Sequence, residues 1–284
     1  MGTYLRPSTL DEALAALADR RSATRPWTIL AGGTDLYPAR VGRPFDDDVL
    51  DVSAVAALRT IDIADDTVRI PALATWTDLL RHDLPAAFDG LKAAARAVGG
   101  VQIQNRGTIA GNLCNASPAA DGLPNLMALD ARVELASATR GRREVPVGAF
   151  VVGNRRTVRQ PDELVTAVLV PTLPAGARSA FIKLGSRAYL VISIVSVAVV
   201  AEVTDDGKVA AARIVAGACS EVPQRLEAAE ARLVGGTAHR DLAVTISDDD
   251  LAPLAPIDDV RATAAYRRAA ALTLVRRAVA EVLR

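Results

Sequence analysis

The sequence predicts an α+β protein: two small α/β units, then a C-terminal α/β unit built on a three-stranded antiparallel sheet with helices. Three observations lead there. Half of the 284 residues are apolar and 23% are charged, which supplies sizeable cores in a chain longer than the roughly 100–200 residues of one domain. Up to about residue 170, short apolar strands alternate with stretches of helical periodicity. After the Pro/Gly-rich PTLPAG at 171–176, the pattern changes to long apolar runs joined by turn residues. The expected division is 1–175, with subdomains of about 1–57 and 58–175, followed by 176–284.

The elements follow in order. Ser8, with Asp11 three residues on, reads as a capping box, and Leu10, Ala13, Leu14 and Leu17 then share one helical face. Residues 27–31 (WTILA) form a buried strand that stops at Gly32-Gly33, and 49–52 and 67–72 are further short strands. Helices at 75–81 and 85–98 open the second unit, which continues through a Gly/Asn-rich loop at 99–122 and strands at 132–136 and 163–170. Strands at 179–184, 190–203 and 208–217 begin the third, and TDDG at 204–207 carries the Asp-Gly chemistry of a tight hairpin. Helices end the chain at 221–234 and 260–283. The last turns Leu272, Val275, Val279 and Val282 inward and the pairs Arg267-Arg268 and Arg276-Arg277 outward. The acidic triplets at 46–48 and 248–250 read as solvated loops.

Composition removes several functions. Lys+Arg and Asp+Glu number 33 each, so no cationic excess exists to attract a phosphate backbone, and 4% aromatics leave few stacking platforms. Both argue against a nucleic-acid binder. Two cysteines, Cys114 and Cys219, make neither a disulfide framework nor the four-thiolate set of an iron–sulfur cluster. With His82 and His239 the only histidines, no metal site and no Ser-His-Asp triad is expected. The opening MGTYLRPSTLDEAL lacks a signal-peptide profile, and the longest apolar run, 190–201, is too short for a bilayer. A reduced, cytoplasmic protein with no membrane span is the expectation.

Two small-residue loops carry the chemistry. The first, AGGTDL at 31–36, ends an apolar strand; the second, GTIAGN at 107–112, runs into LCNASPAAD at 113–121. Glycine lets the main chain approach a ligand closely, and successive N–H groups near a helix start bind phosphate oxygens. Thr34, Thr108, Asn112, Asn115 and Ser117 add neutral donors, so a pyrophosphate could be held without clustered lysines. One such loop alone reads as an ordinary tight turn. Two together, with Asp121 nine residues after Asn112, suit a dinucleotide gripped between subdomains. Asp121 is then placed for ribose hydroxyls, or else caps a helix at 122–129. Neither the Rossmann nor the Walker glycine pattern occurs, so another fold must hold the nucleotide.

LAGGTDLYPAR at 30–40, RGTIAGNLCNASPAADGLPNLMALDARVEL at 106–135 and KLGSRAYLVISIVSVAVV at 183–200 resemble the FAD-binding medium subunit of molybdenum hydroxylases. This is the xanthine dehydrogenase and carbon monoxide dehydrogenase flavoprotein family. The likeness extends from YLRPSTLDEALAAL at 4–17 to GACSEVPQRLEAAEARLVG at 217–235. It implies a PCMH (vanillyl-alcohol-oxidase-type) FAD-binding domain in two α/β subdomains and a C-terminal domain of the carbon monoxide dehydrogenase flavoprotein type. It implies that Leu30, Ala31, Gly32, Gly33, Thr34 and Asp35, with Thr108, Ile109, Ala110, Gly111, Asn112 and Ser117, surround the FAD pyrophosphate while Asp121 meets the ribose. Val98 and Val165 match positions that line the flavin, and both also fit as core valines. Lys183 matches a lysine that contacts FAD, Ile192 an apolar neighbour of the isoalloxazine that would equally suit a core strand, and Arg187 a further family position. Many relatives carry an acidic residue shortly after that arginine, where this chain has Tyr189, Leu190 and Val191. Its absence leaves the electron acceptor open; Tyr189 either shields a flavin face or points into the core.

The resemblance implies an electron-transfer subunit of an oxidoreductase. Substrate is oxidised at a molybdenum–pterin centre on a large subunit, and electrons cross [2Fe–2S] clusters on a small subunit to reach FAD here. They leave to NAD⁺, a quinone or O₂, from a heterotrimer or its dimer. No catalytic acid or base is expected on this chain. The alternatives are a stand-alone FAD-dependent oxidase or reductase, and a non-catalytic flavin-binding scaffold.

Overall fold

In the computed structural model, which describes residues 2–19, 26–42, 44, 46–64 and 66–284, the chain first forms a three-stranded parallel sheet. Its central strand, Val49–Asp51, lies between Tyr4–Leu5 and Thr28–Leu30 and is buried throughout, as a central parallel strand must be. Helix Leu10–Ala18 buries Ala13, Leu14, Ala16 and Leu17. Its capping box is Thr9 with Glu12, one residue later than the expected Ser8 and Asp11. The glutamate is long enough to reach back, accepting from the N–H groups of both Ser8 and Thr9.

The second sheet has the order Asp62–Ile63, Thr67–Pro71, Leu164–Pro171, Arg132–Ser137, Gly141–Pro146 and is antiparallel. Strands Thr67–Pro71 and Leu164–Pro171 are neighbours, so the helices between residues 76 and 128 form an excursion anchored at its base by this ladder. The segment expected as one loop at 99–122 contains two short helices, Val101–Gln104 and Ile109–Asn115. Glycine and asparagine are tolerated in the second because Thr108 caps it, accepting from Gly111 N–H at 3.0 Å, and Ala116 closes it in the left-handed conformation.

The third sheet is antiparallel, ordered Ala177–Leu184, Val195–Val203, Val209–Gly217, Gln224–Arg225. The fourth strand extends the three-stranded sheet expected and lies where a helix was expected to start. Pro223 lacks an N–H and biases Val222 away from the helical region, so helix is confined to Glu227–Ala231. The second strand starts at Val195 rather than 190, because Leu190 sits at φ +52° and its carbonyl accepts from Arg187 Nε at 3.1 Å. From Val195 to Ala201 the strand is buried on both faces. Ala198 and Val200 join the core shared with the first two sheets, whereas Val195, Val197, Val199 and Ala201 pack with residues of helix Ala264–Val282. The period of two thus divides one apolar run between two cores.

Two expectations about charge are corrected. Arg267 is not on a wet face: it is 1% exposed, and its Nη1 donates to the carbonyls of Ile194 and Ala218 at 3.1 and 2.9 Å while Nη2 pairs with Asp259. It lies one turn before Ala271, on the face the sheet covers, and buried acceptors make that position tenable. Arg268, Arg276 and Arg277 do remain partly or fully exposed. Within the acidic triplets, Asp48 and Asp250 are buried. Asp48 accepts from Thr3 N–H at 2.6 Å, and Asp250 closes the Ser247 capping box and pairs with Arg232.

Candidate functional site

Strand Thr28–Leu30 delivers the chain into the first glycine loop at its C-terminal end, where ligands of parallel sheets gather. The second loop leaves helix Val101–Gln104 and enters the cap of Ile109–Asn115. Although far apart in sequence, the two are back to back: a Cβ on Gly32 would lie 1.9 Å from the Arg106 carbonyl oxygen, and one on Gly107 3.2 Å from Thr34 Oγ1. Gly33 sits at φ +72° with the Tyr37 ring packed against it. Trp76, 1% exposed, lies against the second loop: its main-chain N–H donates to Gly107 O at 3.2 Å, and Ile109 N–H donates to Ala74 O at 3.1 Å.

A cleft of about 750 Å³ opens along these loops, toward the upper end of the roughly 300–1,000 Å³ of small-molecule sites. Leu30, Ala31, Gly32, Gly33, Thr34 and Asp35 line it, as do Thr108, Ala110, Gly111 and Asn112, and Val98 and Val165 add apolar surface. Val98 is the C-cap of helix Asp89–Ala97, and Val165 stands at a bulge between Val165 and Ala167 in the second sheet. Ile109 is fully buried under the loop. Ser117, Asp121, Lys183, Arg187 and Ile192 are not among the lining residues.

Asp121 and Lys183 instead meet each other. Lys183 Nζ is 2.5 Å from Asp121 Oδ2, Ser193 Oγ donates to Asp121 Oδ1 at 2.6 Å, and the pair is nearly enclosed, with side-chain exposures of 12% and 5%. Burial pushes the Asp121 carboxyl above the ordinary carboxylate range, opposed by the Lys183 ammonium and the two hydrogen bonds. The pair joins the end of the second loop to the first strand of the third sheet. Arg187 is spent on the Leu190 carbonyl, and Tyr189, Leu190 and Ile192 are exposed. Tyr189, at 73% exposure, is therefore not a core residue, and Ile192, at 63%, lies ahead of the strand rather than within it.

Among the contributors to the cleft that sequence reading missed are Cys114, Arg155 and Arg159. Cys114 lies in the last turn of helix Ile109–Asn115 and is exposed toward the cleft. Desolvation by the surrounding protein pushes its thiol up to about 11, opposed by the charge of Arg159. The arginines come from the hairpin Val151–Gly153/Arg156–Thr157 and the chain after it. Arg155 Nη1 donates to Asp35 Oδ2 at 2.7 Å and also to Asn115 Oδ1, and Arg159 Nη1 donates to the carbonyls of Gln160 and Glu163. In sequence, GNRRT at 153–157 looks like any charged surface turn; its Gly-Asn hairpin signal was the only pointer.

The donor set fits a dinucleotide diphosphate. Among the described residues, the N–H groups of Gly33, Thr34 and Ala110 find no acceptor in the chain. Asn112 Oδ1, an acceptor, is buried against Gly122 without a hydrogen-bond partner and lies outside that donor set. Such a fold and cleft define a flavin-dinucleotide protein outside the Rossmann class. The family model of the FAD-binding domain in molybdopterin dehydrogenase matches residues 1–173, and that of the CO dehydrogenase flavoprotein C-terminal domain matches 180–282; the chain belongs to this family. It is 35% identical to the nicotinate dehydrogenase FAD-subunit of Eubacterium barkeri, over 82% of this chain and 79% of that one. It is 30% identical to a xanthine dehydrogenase FAD-binding subunit of Escherichia coli O157:H7, over 99% and 96%. A chain of reconstituted CO dehydrogenase from Oligotropha carboxidovorans superposes with a TM-score of 0.89 at 28% identity, over 100% and 98% of the two chains. The protein is thus an FAD-binding subunit of a molybdenum-hydroxylase-type dehydrogenase.

Proposed function

We propose that this chain is the electron-exit subunit of a cytoplasmic molybdenum-containing hydroxylase. It takes electrons from the [2Fe–2S] clusters of a small partner subunit and passes them to NAD⁺, a quinone or O₂. A large subunit would carry the molybdenum–pterin centre, in a heterotrimer or its dimer. The observation that carries the reading is the cleft that opens along two interlocked glycine loops, within a chain that matches its relatives over nearly its full length. FAD, when bound, exchanges single electrons on one side and electron pairs on the other. The chain's own residues bind and orient: the loops 30–35 and 108–112 take the diphosphate, and Val98 and Val165 offer the ring system apolar surface. Asp121 and Lys183 form a charged pair whose place beside the ribose or the ring requires one of them to turn from its partner. We assign residues 1–175 and 176–284 as the two domains. Among the described residues no helix is long and apolar enough to cross a membrane.

The test is reduction through the partners. Mixed anaerobically with the small and large subunits and an oxidisable substrate, the flavin band of this chain should bleach only when the iron–sulfur subunit is present. Failure to associate with that subunit, together with direct reduction by a small molecule, would instead establish a stand-alone oxidoreductase.

A further inference from the structure

The hairpin Val151–Gly153/Arg156–Thr157 reaches over the cleft from one side. It is held there by three contacts: Arg155 N–H donates to Ala116 O at 2.9 Å, Asn154 N–H donates to Glu221 Oε1 at 3.1 Å, and Arg156 pairs with Glu221 at 3.4 Å. At its tip Arg155 adopts φ +59°, a left-handed conformation that favours glycine or asparagine and is unusual for arginine. From that position Nη1 bridges Asp35 of the first loop and Asn115 of the second helix. Its Nε and Nη2 have no hydrogen-bond partner among the described residues, and the side chain is 55% exposed. Asp35 is itself a cleft residue, so a carboxylate stands where an anionic diphosphate must enter.

We propose that Arg155 is a clasp for the FAD diphosphate. It neutralises Asp35, ties the two loops together across the cleft, and offers its remaining N–H groups to the phosphate oxygens. The proposal rests on the FAD reading of the cleft and adds to it a cationic residue outside both glycine loops. A guanidinium suits the task because it presents several donors in a fixed fork and keeps its charge at any physiological pH.

The full-length wild type, R155Q, R155K and R155Q/D35N are freed of flavin, checked for equal folding by circular dichroism, and titrated with FAD at low and high salt. R155Q should bind roughly 10- to 100-fold more weakly, as for loss of a charge-assisted hydrogen bond, and R155K should lose less. R155Q/D35N should recover much of the loss, because the carboxylate no longer faces the diphosphate unopposed. A hairpin that merely braces the fold would give no such recovery. FAD binding by R155Q within about twofold of wild type, or a double variant weaker than R155Q, overturns the proposal. A wild-type chain that takes up no FAD overturns the FAD reading itself, and so separates the two failures.

Discussion

Replacing Gly32 with alanine tests the interlocked loops directly. The added Cβ would fall 1.9 Å from the Arg106 carbonyl oxygen and 2.7 Å from its carbon, whereas real Cβ contacts do not fall below 3.0 Å. Both sides of this clash are main chain, so no rotamer relieves it and the loops must part by about 1 Å. Overpacking of this kind costs roughly 1–3 kcal/mol, and the lack of any flexible neighbour puts Gly32 near the upper figure. In the flavin-free protein the loops can separate and release part of the strain. On binding they must close again, so most of the cost appears as lost affinity, up to about 100-fold. The assay is FAD titration by flavin fluorescence, with thermal unfolding of the flavin-free protein alongside. Gly42→Ala is the control: Gly42 has φ +75° but nothing within 4 Å of an added Cβ, so it should cost only about 1 kcal/mol of backbone strain and leave FAD affinity unchanged. A Gly32→Ala protein that binds FAD as tightly as wild type would refute the back-to-back arrangement.

Three further outcomes follow. Arg267→Ala leaves two buried carbonyls without their donor and takes from Asp259 one of its two arginine partners, Arg261 remaining, and should cost about 2–4 kcal/mol in urea unfolding; a loss below about 1 kcal/mol would mean that the arginine does not hold them. Lys183→Met removes the cation from buried Asp121, whose carboxyl already lies above its ordinary value of 3.8. A raised folded pKa means that the native state binds more protons than the unfolded chain, so stability should fall as pH rises from the ordinary carboxylate range through the raised folded value, more steeply than in wild type. Adding Asp121→Asn should flatten that slope, and an unchanged pH profile in Lys183→Met would contradict the pairing. Glu163 is held below its ordinary value of 4.5, first by the hydrogen bonds from Arg143. Its contribution is therefore complete above pH 4.5 and lost as pH falls through the depressed folded value. Glu163→Gln should cost about 1–2 kcal/mol at neutral pH, Arg143 being 42% exposed and screened, and this gap in melting temperature should narrow in acid.

Much of this architecture was legible in the residues. The strand before Gly32-Gly33, the Asp-Gly hairpin and the three long strands all announce themselves by periodicity and turn chemistry, which are local signals. What escaped was decided by tertiary contacts. The outward placement of Arg267 failed because a helix face is assigned by residue type, and nothing local reveals that two carbonyls and Asp259 wait beneath the sheet. The helix expected from 221 gave way to a strand because Val215 and Ala216 offered an open ladder edge to Gln224 and Arg225. At the site, both glycine loops could be read from composition. Their contact through Gly32 and Arg106 could not, nor could the arrival of Arg155, 120 residues beyond the Asp35 it binds. The pairing of Asp121 with Lys183 joins two residues that resemblance singled out separately for the cofactor.

The most direct measurement is amide hydrogen exchange of the full chain with and without FAD, alongside the stoichiometry of the flavin it releases on denaturation. The account predicts one FAD per chain and protection concentrated at Gly32–Asp35 and Thr108–Asn112, the two segments that line the cleft. A chain that refuses FAD, or one whose protection falls elsewhere and leaves both glycine loops exchanging freely, would contradict it.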